Sequence, residues 1–302
     1  MADLRPILAL PSPLAVVCHD AGASNHLLSW LAASGRVGDC LPVMAGPALA
    51  LWQARFPDGP ELRSLDQALD QAAVVLTGTG WASDLEHRAR QQARAVGKPC
   101  IAVLDHYTNY RARFERDGVL ALPDRLWVAD DEARRLATQH LPEVAVEQLE
   151  NSYLQQQVAG IAAIPSVRPT LLYVLEPARS DWGRGQPGEL QALDYFLQHR
   201  DALPLGGEPP IRLRRHPSEP IDKYQGWLSR YKNSNIDIAF DAAPDLAAAI
   251  SQAAWVAGCQ SFALVVALAA GRVAISTLPP WAPPCALPHR GLIHLKDRVV
   301  SA

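Results

Sequence analysis

The chain has 302 residues, 49% of them hydrophobic and 20% charged, with a formal net charge of −3. That length fits one large or two medium domains with ample cores, and the near-neutral balance excludes a general nucleic-acid binder, which needs a basic face against phosphates. Five scattered cysteines without a CxxC pair point to neither a disulfide framework nor a structural zinc site and fit a reducing, cytoplasmic setting.

The first residues, "MADLRPILALPSPLAVV", lack the basic segment and cleavable apolar core of a signal peptide. "LAVVCH" (14–19) reads as a buried strand, "DAGASN" (20–25) as a polar turn, and "HLLSWLAAS" (26–34) as a helix. A strand "CLPVMAG" (40–46) and a helix "PALALWQARF" (47–56) follow. "AAVVLTGTG" (72–80) is a strand entering a Gly-rich turn, and "SDLEHRARQQARAVG" (83–97) a helix that begins at a Ser83 cap and ends at Gly97. "PCIAVLDH" (99–106) and "RLWVAD" (125–130) are strands, and "DEARRLATQHL" (131–141) is a helix.

A connector with Pro165 leads to a second series. It runs through the strand "PTLLYVLEP" (169–177), the Gly-rich stretch "ARSDWGRGQPG" (178–188), the helix "ELQALDYFLQHRDAL" (189–203) and the strand "PIRLRRHP" (210–217). Then come the helix "IDKYQGWLSRYKN" (221–233), the strand "IDIAF" (236–240), the helix "DLAAAISQA" (245–253) and the strand "AWVAG" (254–258). The helix "SFALVVALAAG" (261–271), too short for the ~20 residues that span a bilayer, precedes the strand "RVAIST" (272–277).

Apolar strands alternating with helices make this an α/β protein of parallel sheets covered on both faces. The pattern occurs twice. It predicts two Rossmann-like domains, 1–150 and 168–302, joined by a connector over 151–167, with their sheets facing a central cleft. The strands end on polar residues, at the carboxyl edge where open α/β sheets bind ligands.

The candidate site residues stand at those ends. Asp20, flanked by His19 and Gly22, is a candidate base or a helix cap, and His26 follows one turn later. Thr79 and Gly80 sit in "TGTGW", a turn that can cradle a phosphate or admit a sugar, with Trp81 as a stacking platform; without a following Lys it is no P-loop. Asp105 and His106 open the polar-aromatic run "DHYTNYRARF" as a second candidate base and partner. Glu176 precedes a loop carrying Arg179 and Arg184, suited to phosphates or a carboxylate. In "IRLRRHPSEP", Pro217 ends a strand and Ser218 can cap a helix, which would put His216 beside a helix N-terminus, where an anion is favoured. Gly258, Gln260 and Ser261 form a second anion turn. Arg214 and Arg215 read as sheet-edge charges, and His87, His140 and His199 as solvated helix residues. There is no G-x-S-x-G elbow and no full G-x-G-x-x-G, which disfavours an α/β-hydrolase and a nicotinamide enzyme.

Two Rossmann-like halves, a His-Pro after a strand of the second half (His216-Pro217) and the later helix "GCQSFALVVALAAG" resemble the GT-B superfamily. The His-Pro is similar to that of bacterial sialyltransferases, and "HPSEPIDKY" to that of capsule and teichoic-acid transferases using CMP- or CDP-linked donors; UDP-N-acetylglucosamine 2-epimerases share the fold. The resemblance implies a nucleotide-sugar donor on the C-terminal half, with His216 and Ser261 at its phosphate. It also implies a glycan acceptor and a base (Asp20 or Asp105) on the N-terminal half, no metal or other cofactor, and a place in surface-polysaccharide synthesis. Many nucleotide-sugar members carry a Glu in the Ser-helix for the ribose, where this chain has Val265 and Val266; that favours a cytidine nucleotide. An epimerase or hydrolase on the same scaffold, and a non-catalytic binding protein, remain alternatives.

Overall fold

A computed structural model describes residues 4–177, 180–216 and 219–299. The chain forms two units, Met1–Gln155 and Gln156–Ala302.

The first unit opens with a one-turn helix α1 (Arg5–Leu8). Its strands are β1 (Leu14–Cys18), β2 (Cys40–Met44), β3 (Val74–Thr77), β4 (Cys100–Val103), the hairpin pair β5 (Glu115–Arg116) and β6 (Val119–Leu120), β7 (Arg125–Val128) and β8 (Ala145–Gln148). Its helices are α2 (Ala21–Ser34), α3 (Gly46–Arg55), α4 (Leu65–Gln71), α5 (Leu85–Ala95) and α6 (Asp131–His140), and α7 (Ser152–Ala159) carries the chain into the second unit. Six strands make one parallel sheet in the order β2-β1-β3-β4-β7-β8. Alternate residues of β1 enter different cores: Leu14, Val16 and Cys18 pack with Leu27, Trp30 and Trp127, while Ala15 and Val17 pack with Ala89, Ala93 and Val75. Burial on both faces is why this strand is apolar throughout.

The second unit contains β9 (Thr170–Val174), α8 (Gly188–His199), β10 (Ile211–Arg214), α9 (Gln225–Ser229), β11 (Ile238–Phe240), α10 (Leu246–Ser251), β12 (Ala253–Gly258), α11 (Phe262–Ala269), β13 (Val273–Ser276) and β14 (Ile293–His294). Its parallel sheet runs β11-β10-β9-β12-β13-β14. Leu171, Tyr173, Phe196, Leu213, Tyr224 and Ile275 form its main core. The two sheets are wound differently. The chain reverses direction across the first sheet between β1 and β3, and across the second between β9 and β12. Such switch points open a crevice at the carboxyl edge.

Several expectations change. The turn expected at 20–25 is the start of α2, which begins at Ala21. The connector contains α7, and strands β8 and β14 close the two sheets. The helix expected from residue 221 shrinks to α9, so its N-terminus lies well past His216. Local caps explain other helix starts. Ser64 and Gln67 form a capping box on α4, and the Asp130 and Asp245 carboxylates accept from Ala133 N and Ala248 N.

Candidate functional site

At the β1/β3 switch point, the two strand ends are tied by carboxylates. Asp20 occupies the N-cap position of α2 but caps nothing. Its Oδ2 instead accepts from Trp81 N–H at 3.0 Å, and its Oδ1 lies 2.6 Å from His19 Nδ1. The Asp20 side chain keeps 34% of its exposure, so it remains reachable. The other tie is Glu86, 1% exposed, on the first turn of α5. Its oxygens accept from His19 N–H (3.0 Å) and Gly80 N–H (2.7 Å). Burial pushes the Glu86 carboxyl above its usual range, although those two N–H donors pull the other way.

Asp105, after β4, joins the same group. Its side chain is 9% exposed, with His106 Nε2 3.2 Å away. It packs so closely on α2 that a Cβ at Gly22 would lie 1.7 Å from Asp105 Oδ2. Gly80 has the same relation to Asp20, at 2.2 Å. The two glycines therefore admit carboxylates where any side chain would displace them. His26 is buried against Trp30 and Tyr153, with Nδ1 lacking a hydrogen-bond partner. Burial lowers its pKa, which Asp105 and Asp130 nearby oppose. Arg113 points its buried guanidinium at Thr79 O and Thr108 O.

The structure thus brings together His19, Asp20, Gly22, His26, Gly80, Asp105 and His106 in one unit. Thr79 is a correction: its hydroxyl is fully buried and donates to Val103 O, so it braces strands and is not offered to a ligand. His87 is another, being buried in α5, not solvated. Glu86 and Arg90 stand at no strand end and in no motif, so neither signal singles them out in the sequence. Both lie on the buried stripe Glu86, Ala89, Arg90, Ala93 of α5, whose i, i+3, i+4, i+7 spacing marks a core face. Charges on such a stripe were the available signal. Arg90 spends its guanidinium on Gly78 O and Ala121 O, and burial lowers its pKa to about 10.

The β9/β12 switch point of the second unit is also tied by a carboxylate. Glu176 accepts from Gln260 N–H at 2.6 Å. Burial raises its pKa, opposed by bonds from Gln260 and Cys259. A Cβ at Gly258 would lie 2.7 Å from Val174, so that glycine lets β12 close on β9. The side-chain oxygen of Gln260 accepts from Ala286 N–H. Ser261 is the N-cap of α11, its hydroxyl accepting from Ala263 N–H at 3.2 Å. Val265 and Val266 are buried in α11. His216 is exposed just past β10, on the other side of β9 from Ser261. Two strand spacings separate those strand ends, about 10 Å. Pro217, Ser218 and Arg179 lie outside the described residues.

The arginines before His216 do not gather toward it. Arg212 pairs with Asp237 (2.9 Å) and Arg214 with Asp241 (2.5 Å), and Arg215 lies over the Phe240 ring. They fasten β10 to its neighbour. Arg184 lies over the Trp281 ring, 3.9 Å from its centroid. A charge cluster that no motif announces lies next in the chain after His216. Lys223 Nζ bridges the buried carboxylate of Glu189 (2.5 Å) and Glu219 (2.6 Å), and Tyr224 donates its hydroxyl to Glu219 (2.7 Å).

No protein-family model matches the chain, and no curated protein matches it in sequence. Solved structures match it over most of its length. A putative UDP-N-acetylglucosamine 2-epimerase from Listeria monocytogenes has 11% identity and a TM-score of 0.55, covering 88% of this chain and 79% of that one. The Neisseria meningitidis UDP-GlcNAc 2-epimerase bound to UDP-GlcNAc has 9% identity and a TM-score of 0.53, covering 87% and 82%. Acinetobacter baumannii MurG has 13% identity and a TM-score of 0.51, covering 90% and 80%. Likeness at this identity is a likeness of fold: the chain is built as two Rossmann-like domains of the GT-B kind, each on a six-stranded parallel sheet.

Proposed function

We propose that the protein is a nucleotide-sugar enzyme that transfers a sugar, or a sugar-phosphate, from a CMP-, CDP- or UDP-linked donor to a glycan hydroxyl. The observation that carries this is the Asp20 carboxylate, held by His19 and Trp81 N–H at a switch point yet one-third exposed. In an inverting transfer, Asp20 takes the proton of the acceptor hydroxyl as its oxygen bonds to the anomeric carbon. The bond to the nucleotide phosphate breaks with its electron pair, and the nucleotide leaves as an anion. Asp105 is the alternative base, but its lower exposure favours Asp20.

The second unit is the proposed nucleotide site. His216 supplies a donor for charge developing on the leaving phosphate. The Ser261 hydroxyl, already accepting from Ala263 N–H, still has its own proton to give to a phosphate oxygen. Glu176 already takes Gln260 N–H, so that amide is not free for the anion.

The test is thermal stabilisation by CMP, CDP, UDP and GDP, followed by product analysis with the matching nucleotide sugar. One nucleotide should raise Tm, and His216→Ala should abolish the rise. No response to any of the four sinks the reading. Release of free sugar or of an epimer without an acceptor replaces transfer by hydrolysis or epimerisation on the same site.

A further inference from the structure

Trp81 stands out at the edge of the first unit's site. It is 47% exposed, while most large apolar side chains of this unit are buried. Its ring stands beside a cluster of ionisable groups, with Asp20 bonded to its own amide.

The backbone that carries it is fixed from several sides. Trp81 N–H donates to Asp20, and Gly80 N–H to Glu86. Thr79 donates its hydroxyl to Val103 O. Arg113 donates to Thr79 O and Arg116 to Gly80 O. The indole is fixed as well, because the Arg113 guanidinium lies over its ring, 5.0 Å from the centroid. A cation over one π-face holds the ring in place, and the ring's 47% exposure leaves part of it facing solvent. An apolar surface held still before binding loses little entropy when it binds.

We infer that Trp81 is a one-sided stacking platform for a pyranose ring, and that it sets the acceptor as a carbohydrate. A sugar presents one face of C–H groups, which suits a solvent-facing indole, and a rim of hydroxyls. The rim meets polar groups at the same loop: Asp20, bonded to the Trp81 amide, and Asp84, whose carboxylate lies 3.6 Å from Arg116 Nε. A ring stacked there presents a hydroxyl toward the residue proposed as base. The inference rests on the transfer reading for its meaning, but its binding step does not.

The experiment is titration of the full-length protein with cellotetraose, chitotetraose and a tetragalacturonate, without nucleotide, followed by the Trp indole N–H resonances. At least one oligosaccharide should bind and shift the Trp81 resonance, identified by its loss in Trp81→Ala. Trp81→Ala should weaken binding by about tenfold or more, and Trp81→Phe should restore most of it. Unchanged binding in Trp81→Ala, or no binding of any of the three, overturns the platform. Nucleotide stabilisation in the same samples separates this failure from failure of the transfer reading. If nucleotide still raises Tm and no sugar binds, only the platform is lost. An unaltered circular-dichroism spectrum and Tm for Trp81→Ala guard against misfolding.

Discussion

Asp20 has two hydrogen bonds fixed on it before any substrate arrives, from His19 Nδ1 and from Trp81 N–H. Both orient the carboxylate, and neither closes it off from water. The proposed base, held in place yet one-third exposed, contributes by its placement as well as by its charge. Asp20→Asn keeps an acceptor for Trp81 N–H and removes the proton acceptor. It should lower kcat by about 10²–10⁴-fold while nucleotide stabilisation stays at the wild-type value. A loss under tenfold, with the same loss or more in Asp105→Asn, would move the base to Asp105. His19 is a positioning residue in this scheme. At this scale the sequence was legible where a residue ends a strand: Asp20, Asp105 and Glu176 all stand at strand ends, and all fall at the carboxyl edge. It was illegible where function depends on which side chain another covers. Nothing in "TGTGW" announces that Thr79 turns inward to Val103 O while Trp81 turns out.

At the scale of elements, apolar runs were easy to read because strands buried on both faces carry no polar interruption. β8 escaped because its burial is only partial, in the edge position beside β7, and "AVEQ" shows neither a full run nor clean alternation. α9 shows the opposite error. "IDKYQGWLSRYKN" has helical composition throughout, but only Gln225–Ser229 is α-helical. The residues before it are held by the charge cluster instead, with Lys223 bridging Glu189 and Glu219. Glu189 is almost fully buried, so replacing Lys223 takes its cation from a carboxylate held away from water. Lys223→Met should cost about 3 kcal/mol, the usual penalty for breaking a buried pair. Adding Glu189→Gln should recover part of that loss, because a buried negative charge is removed together with its cation. Denaturant midpoints of the three proteins measure both steps. A Lys223→Met variant as stable as wild type would mean that the bridge does not hold this segment.

For the whole molecule, each sheet carries a carboxylate across its switch point, the buried Glu86 in the first and the half-buried Glu176 in the second. Both have pKa values raised above the usual 4.5 by burial. Below pH 4.5 each is protonated in the folded and the unfolded chain alike, and the stability tied to the proton is fully present. As pH rises past that value, the unfolded chain gives up its proton first, while the folded chain still holds one. Unfolding then releases protons, and stability falls until pH passes the folded pKa. Glu219 acts in the opposite sense: burial raises its pKa, but hydrogen bonds from Lys223 and Tyr224 outweigh that and lower it. The raw stability curve therefore mixes signs, and a difference against a variant isolates one group. Glu86→Gln cannot titrate, and it sacrifices one of the two acceptors that hold His19 N–H and Gly80 N–H. Wild type should lose stability relative to Glu86→Gln as pH rises from about 4.5 toward neutrality, then keep a constant difference. Chemical denaturation across that range reads the slope directly. A difference that grows in favour of wild type with pH would mean the two amides stabilise the anion more than burial penalises it. Glu86 would then be a carboxylate with a lowered pKa, a fixed negative charge behind Asp20.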